Sequence, residues 1–454
     1  MPLPADLLYS LENAPGFDRQ SFVRVHDDGA QVTSLRLNPM KPVDLSNMPL
    51  IASKIPWSTS GYYLSERPQF IFDPLIHAGA YYVQEASSMF LEQAVSQLFD
   101  SSTPIKALDL CAAPGGKSTL LHSLLSPDSL LVSNEVIRSR VTVLEENLTK
   151  WGAVNVIVTN NDPRDFQKLP GYFDLMIVDA PCSGSGLFRK DPSAVNEWSL
   201  QNVALCSQRQ QRILADSLPA LTEHGVLIYC TCSFSMEEDE AICDWLISEQ
   251  SMQPLKLQLD PAWNVVESIS SRGGYGYRFY PNKLRGEGFY LSCFRNTREH
   301  SGSIPKAQKL EKASRGEVSA IGQLVDTNSL FTWKFGERIL SFPLQLEKEL
   351  GVLLPQLYIR KAGLCIGKVA GNGLIPDHEV ALSRLLHDDV PSAPLEKDVA
   401  LQYLRREEFS LPVQPKGWTL ATYEGLGLGW MKVLPNRINN YYPKEWRILK
   451  SKDN

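Results

Sequence analysis

The chain has 454 residues, 43% of them hydrophobic and 21% charged, with a formal net charge of -6 at pH 7. This balance excludes a disordered or collagen-like protein, and no apolar run approaches the roughly 18 residues of a membrane span. The opening Met1-Pro-Leu-Pro-Ala5 lacks the basic and apolar regions of a secretory leader, which predicts a cytoplasmic protein without membrane attachment.

By length the chain predicts about three domains. Residues 1–100 read as a mixed α+β segment ending in an amphipathic helix over 79–91. From 105 to 295, strand and helix patterns alternate. The strands are 105–111, 130–135, 155–159, Phe173–Asp179, 225–231 and 288–294, and the helices 117–125, 137–151, 201–221 and 237–249. Near-continuous apolar strands alternating with helices predict an α/β domain over 101–298 whose parallel sheet is covered on both faces. Residues 299–325, rich in Ser and Lys, read as a linker. Turn signals at Gly371-Asn-Gly373 and over 411–417 divide the remainder into small α+β modules at 326–374 and 375–454.

The eight cysteines, at 111, 182, 206, 230, 232, 243, 293 and 365, show no extracellular framework spacing and read as reduced thiols. Cys230 and Cys232 have neither a second cysteine pair nor histidines at ligand spacing, so no metal site is expected, and Cys230 reads as a small core residue. Cys182, in Asp179-Ala-Pro-Cys-Ser-Gly-Ser-Gly186, and Cys232, in Cys230-Thr-Cys-Ser233, each follow a buried strand. Both are expected at strand ends, where open α/β sheets hold their ligands.

Ahead of them stands Cys111-Ala-Ala-Pro-Gly-Gly-Lys117, a strand end, a glycine turn and a helix start. Gly115 and Gly116 allow close backbone approach, and the helix N-terminus offers free N–H groups. A phosphate-binding P-loop would need glycine five positions before Gly116, where Cys111 stands; this disfavours a nucleotide hydrolase. Glu135 ends the second strand, where an acid can hold ribose hydroxyls, and Asp162 follows the third, where it can accept from an adenine amine. Singly, each acid would more often be a cap or turn residue. At successive strand ends, they predict a nucleoside-like cofactor.

The charge is uneven. Residues 271–312 hold nine Lys/Arg against three acids, and 401–454 hold nine against five. A charge run is by default a solvated face. Here aromatics interleave with the bases in Arg272-Gly-Gly-Tyr-Gly-Tyr-Arg-Phe-Tyr280 and Asn436-Arg-Ile-Asn-Asn-Tyr-Tyr-Pro-Lys444, which predicts contacts to single-stranded RNA.

Cys111–Lys117, Asp179–Gly186 and Thr231-Cys-Ser233 together resemble the Nol/Nop/Sun family of RNA cytosine-C5 methyltransferases. Arg278-Phe-Tyr-Pro281 with Gly286-Glu-Gly-Phe-Tyr-Leu291 resembles a further family motif, departing from it at Asn282, where histidine is usual; the expected effect is on substrate contact. The resemblance spans roughly residues 75–295, with four motifs in order. Gly425-Leu-Gly-Leu-Gly-Trp-Met-Lys432 and Asn440-Tyr-Tyr-Pro-Lys444 resemble the PUA-like end of bacterial RsmF-type 16S rRNA enzymes.

The resemblance implies a Rossmann-like S-adenosylmethionine-dependent methyltransferase sheet, an RNA-facing N-terminal α+β segment, and C-terminal PUA-like RNA-binding modules. It implies cofactor contacts from Cys111, Ala112, Ala113, Pro114, Gly115, Gly116, Lys117, Glu135, Asp162 and Asp179. Cys232 becomes the nucleophile at cytosine C6, Cys182 assists release, Asp179 holds the cytosine edge and Lys117 contacts the base. Phe188 and Trp198 would wall the flipped base or merely cap the next helix. The implied partner is small-subunit rRNA, free or in an assembled subunit, bound by a monomer without metal. A tRNA substrate and a non-catalytic ribosome assembly factor are the alternatives.

Overall fold

The computed structural model describes residues 3–299, 302–371, 373–411 and 416–450. Asn372 and residues 412–415, inside the two predicted turn signals, lie outside the described residues. The N-terminal segment forms an antiparallel sheet of β1 (Ser34–Leu37), β2 (Ile51–Lys54), β3 (Gly61–Leu64) and β4 (Tyr81–Tyr82), in the order β2-β3-β1-β4. The helix expected over 79–91 is absent. Gly79 adopts φ +70°, Tyr81 and Tyr82 pair with Leu37 and Arg36, and the α-helix begins only at Leu91.

The central sheet is built from β5 (Lys106–Asp109), β6 (Leu130–Asn134), β7 (Val156–Thr159), β8 (Phe173–Asp179), β9 (Leu221–Thr231), β10 (Met252–Leu255), β11 (Val266–Ile269), β12 (Tyr275–Phe279) and β13 (Phe289–Asn296). Its order is β11-β12-β13-β9-β8-β5-β6-β7, with β5 to β9 parallel and β13 antiparallel to β9. Five of the six predicted strands run parallel, but the sixth, β13, is antiparallel, and β10, β11 and β12 join the sheet without a signal in the pattern. Side chains alternate between two cores. Leu108, Val132, Met176, Val178 and Tyr229 face one side, and Ala107, Leu131, Leu175, Ile177 and Cys230 the other. Burying a large apolar side chain stabilises the fold by roughly 1.5–3 kcal/mol, which explains why these strands carry almost no polar residues.

Two expectations for the C-terminal half need correction. The span 299–325 is not a plain linker. Helix Arg315–Ile321 forms within it, started by a reciprocal capping box of Ser314 and Glu317. Nor does 326–374 stand apart. β14 (Leu330–Phe335) and β15 (Arg338–Pro343) pair with each other, but β16 (Ile359–Ala362) leaves them and pairs antiparallel with β7, extending the central sheet. β17 (Leu364–Ala370) and β18 (Gly373–Pro376) complete the smaller sheet. The last sheet comprises β19 (Ser392–Pro394), β20 (Gly417–Tyr423), β21 (Leu426–Leu434) and β22 (Arg437–Asn440). It shares a core with the N-terminal segment, where Leu35, Leu64 and Leu75 pack in one cluster with Leu401, Leu404 and Leu428. No helix among the described residues is long and apolar enough to cross a membrane.

The N-terminal segment is locked onto helix Arg138–Trp151. Lys41 Nζ donates to the Ala78 carbonyl at 2.7 Å and to that of Lys150, while Asn38 Nδ2 donates to the carbonyls of Gly79 (2.9 Å) and Trp151 (3.0 Å). Burial pulls the Lys41 ammonium down to about 7. A Cβ on Gly79 would stand 1.7 Å from the Lys150 carbonyl oxygen. Gly79→Ala is therefore expected to destabilise the protein by about 2 kcal/mol or more, because clash and positive φ add. A melting temperature equal to that of the unaltered chain would refute this docking.

Candidate active site

β8 and β9 run parallel with Asp179 opposite Cys230, and the Ala180 N–H continues the ladder to the Cys230 carbonyl at 2.9 Å. Beyond that point both chains turn, and Cys182 Sγ lies 2.9 Å from Cys232 Sγ. Both thiols are free and partly exposed. The glycine-rich loop after Cys182 is pinned. The Gly186 N–H donates to the Cys232 carbonyl at 2.7 Å, and the Phe234 N–H to Ser185 Oγ at 2.9 Å. Gly186 is required by contact, since a Cβ there would lie 2.5 Å from Cys232 O and 2.7 Å from Gly288 O. The hydrogen bond to Cys232, together with burial, holds the Cys182 thiol well above its ordinary value. Either sulfur can be the donor in that contact.

On the same rim Lys117 Nζ contacts Asp179 Oδ2 at 2.7 Å and lies 5.2 Å from the Phe289 ring centroid. Burial works against the Lys117 charge, but Asp179, with Cys230 and Asp109, more than offsets it and leaves the ammonium above its usual value. Asp109 accepts from Ser118 Oγ at 2.6 Å, and burial pushes its carboxyl up to about 7.

The loop at 111–117 connects β5 to helix Gly116–Leu124. Gly115 adopts φ +114°, and Gly116 lies so close to Tyr82 that a Cβ would meet its ring at 3.2 Å. The loop is held from behind. Arg140 donates to the Ala113 carbonyl, Asn147 Nδ2 to that of Pro114 at 2.7 Å, and the Ala112 N–H to Asn134 O at 2.8 Å. Burial pushes the Cys111 thiol up, which makes it an inert wall.

Glu135, at the end of β6, is buried. Its Oε1 accepts from the Ile137 N–H at 2.9 Å, whereas among the described residues Oε2 has no hydrogen-bond donor and pairs with Arg140 at 3.3 Å. Asp162 is more heavily engaged. It caps the 3-10 turn Pro163–Lys168 and pairs with Arg164 at 3.0 Å, an interaction that holds its carboxyl below the usual range.

Several readings fail on burial. In Arg272–Tyr280, Tyr277, Arg278, Phe279 and Tyr280 are all at most 2% exposed, so these four cannot stack on RNA bases, while Arg272 is exposed and Tyr275 half-buried. Arg278 instead pairs with Glu240 and Asp239 and donates to the Phe234 carbonyl at 2.9 Å. In the second basic segment Tyr442 is buried, while Tyr441 is exposed beside Trp418. Phe188 and Trp198 lie in a core with Leu7, Leu11 and Phe22 and do not wall the site. Asn282 Nδ2 donates to Ser21 Oγ at 2.7 Å, so it fastens the N-terminal helix.

One residue went unnoticed. Glu238, fully buried, accepts from Ser183 and Ser233, the residues that follow the two cysteines. It is hidden in the acidic run Glu237-Glu-Asp-Glu240, which reads as a solvated helix start.

Comparison with known proteins places this geometry. Residues 98–295 match the family model "16S rRNA methyltransferase RsmB/F", residues 3–86 the "N-terminal domain of 16S rRNA methyltransferase RsmF", and residues 390–448 the "Methyltransferase RsmF PUA domain". Ribosomal RNA small subunit methyltransferase F of Shewanella woodyi is 30% identical over 439 residues, covering 91% of this chain and 90% of its own. The protein of that name from Aliivibrio salmonicida is 30% identical over 409 residues, covering 86% and 85%. Among solved structures, NSun6 from Pyrococcus horikoshii, determined with SFG, superposes with a TM-score of 0.55 at 19% identity, covering 65% of this chain and 99% of that one. A methyltransferase homologue from the same organism gives 0.52 at 24%, covering 65% and 100%. These two share the Rossmann-like methyltransferase fold. With relatives 30% identical over 86% and 91% of its length and all three regional models in order, the chain belongs to the ribosomal RNA small subunit methyltransferase F family, whose methyl donor is S-adenosylmethionine.

Proposed function

We propose that the protein methylates C5 of a cytidine in small-subunit ribosomal RNA through a covalent Cys232–C6 adduct. The observation that carries this reading is the 2.9 Å approach of Cys182 and Cys232 beside the Lys117–Asp179 pair. A reaction with one covalent step needs one thiol. Two in contact suit a reaction in which a sulfur must add to a ring and later leave it.

The rim fits the donor in two respects. Glu135 Oε2 is a buried acceptor without a hydrogen-bond donor among the described residues, suited to ribose hydroxyls, and Gly115 and Gly116 carry no side chains of their own at the helix N-terminus, which allows a ligand close approach to the backbone. Cys111, Ala112, Ala113, Pro114 and Lys117 would wall the donor's methionyl end. Asp179 would border the cofactor and the base together, and Asp162 would meet the adenine only by yielding part of its hold on Arg164. When bound, S-adenosylmethionine supplies an electrophilic methyl group.

The protein's own residues prepare the cytosine. C5 is a poor nucleophile until a thiolate adds to C6, and Cys232 Sγ, 2.9 Å from Cys182 Sγ, is the sulfur we assign to that addition. Asp179 and Lys117 offer an acceptor and a donor to the cytosine edge. Once the methyl group is on C5, a base must take the C5 proton; the C5–H electron pair then forms the C5=C6 bond, and the C6–S pair leaves on Cys232 as a thiolate. Cys182 is the group placed to assist that release. The base must first be drawn out of its stack, at a cost of a few kcal/mol that RNA contacts elsewhere must offset. We assign those contacts to segment 1–100 and module 375–454, flanking the catalytic domain at 101–298.

Cys232→Ala should lower methyl transfer to cytidine at least about 1000-fold, the scale of losing a covalent nucleophile; retained transfer to rRNA would refute the nucleophile assignment. Cys182→Ala should accumulate a protein–RNA adduct that survives denaturing electrophoresis, and absence of that band would refute the release role. Glu135→Gln should weaken S-adenosylmethionine binding about tenfold, the worth of a charged hydrogen bond; calorimetry giving an unchanged Kd would sink the ribose assignment.

A further inference from the structure

Glu238 stands on the loop between β9 and helix Glu240–Glu249, and its carboxylate gathers four donors. These are the Ser183 N–H at 2.8 Å, the Ser183 hydroxyl, the Ser233 hydroxyl at 2.6 Å and Gln210 Nε2 at 3.1 Å. Ser183 follows Cys182 and Ser233 follows Cys232. Gln210, on helix Leu200–Ser217, also donates to the Pro181 carbonyl at 3.2 Å, so the residue before Cys182 is tied to the same group. The backbone of Glu238 is fixed as well, its carbonyl accepting from the Tyr229 hydroxyl at 2.7 Å.

We infer that Glu238 is a positioning residue that sets the separation of the two active-site sulfur atoms. Its carboxylate is bonded to Ser183, Ser233 and Gln210 and to neither sulfur. It clamps the residue after each cysteine to one buried point, so the ends of two strands move as one. Only an acceptor-only group can satisfy four converging donors. Glutamine has the same shape but offers one acceptor oxygen and adds two N–H donors where donors already crowd. The inference rests on the two-cysteine chemistry proposed above for its effect on turnover, but not for the sulfur spacing itself.

The spacing can be read directly. A diazene oxidant such as diamide takes one hydrogen from each of two thiols, reducing its N=N bond and joining the sulfurs as a disulfide. In the full-length protein it should link Cys182 to Cys232, identified by peptide mass. Glu238→Gln should slow that linking at least about tenfold. It should also lower kcat about 10- to 100-fold, the loss typical when a partner that orients a reactive ligand is removed, with KM for RNA and Kd for S-adenosylmethionine changed less than about twofold. Should Glu238→Gln not fold, Ser183→Ala with Ser233→Ala removes two of the four donors and leaves the carboxylate. That pair should slow linking about threefold or more. Equal linking rates in variant and unaltered protein, or no linking in the unaltered protein, would overturn the inference. Linking slowed by Glu238→Gln in a protein that methylates no cytidine would uphold the spacing role and reject the functional reading.

Discussion

The parallel hydrogen bonding of β8 and β9 is the constraint on which the site depends. Parallel neighbours end on the same rim, and the register that sets Asp179 against Cys230 determines which residues meet beyond it. Three positions after Asp179 and two after Cys230, the sulfur atoms come into contact. A slip by one residue would turn each strand's side chains to the opposite face. Cys230 lies within β9 and is sealed in the core, whereas β9 ends at Thr231, so Cys232 stands just beyond the strand and is partly exposed. The same rim carries Glu135 and the 111–117 loop, because β5 and β6 run in the same direction.

Beneath the two thiols lies a concentration of buried charge. Glu238, Asp239 and Glu240 follow one another, and Arg278 is the cation that meets the last two. Burial works against the Arg278 charge, and Asp239 and Glu240 more than restore it. For Glu238 burial outweighs its hydrogen bonds and raises its carboxyl above the ordinary value. Taking ions out of water costs several kcal/mol each, so these groups are a poor source of stability. What they supply is geometry. Thr231 Oγ1 donates to Asp239 at 2.7 Å, the Arg278 guanidinium reaches the Phe234 carbonyl, and Glu238 holds Ser233, so the chain from 231 to 234 is fixed at successive points around Cys232.

Much of the catalytic sheet was legible because burial on both faces leaves a plain mark, a strand with almost no polar residue. The two cysteines, Asp179 and Lys117 were legible for a related reason, since strand ends in such a sheet converge. Segments whose pattern admits two meanings were not. A strand bearing Arg278 among tyrosines has the composition of an RNA-binding surface, and nothing local reveals that its guanidinium turns inward to Glu240. β16 could not be foreseen on the edge of β7, because Ile359 and Thr159 are brought together by tertiary packing rather than by either segment's periodicity. Glu238 was obscured by its acidic neighbours, which imitate a solvated helix start. The capping box at Ser314 and Glu317 was readable by spacing, but the Ser- and Lys-rich composition around it pointed to a linker.

Helix Arg138–Trp151 joins these layers. Near its start Arg140 reaches Glu135 and the Ala113 carbonyl, and Asn147 holds the Pro114 carbonyl, so one end supports the glycine-rich loop at 111–117. At its far end the Lys150 and Trp151 carbonyls accept from Lys41 and Asn38 of the N-terminal segment, and Lys150 Nζ lies 5.3 Å from the ring centroid of Trp446 in the C-terminal module. Carbonyls at a helix C-terminus carry partial negative charge and lack intrahelical donors, which gives a buried lysine a reason to be there. The outer modules therefore dock through backbone groups that the helix must satisfy in any case. Their placement relative to the glycine turn at 115–116 follows from a rigid rod about 20 Å long, at 1.5 Å per residue over its 14 residues.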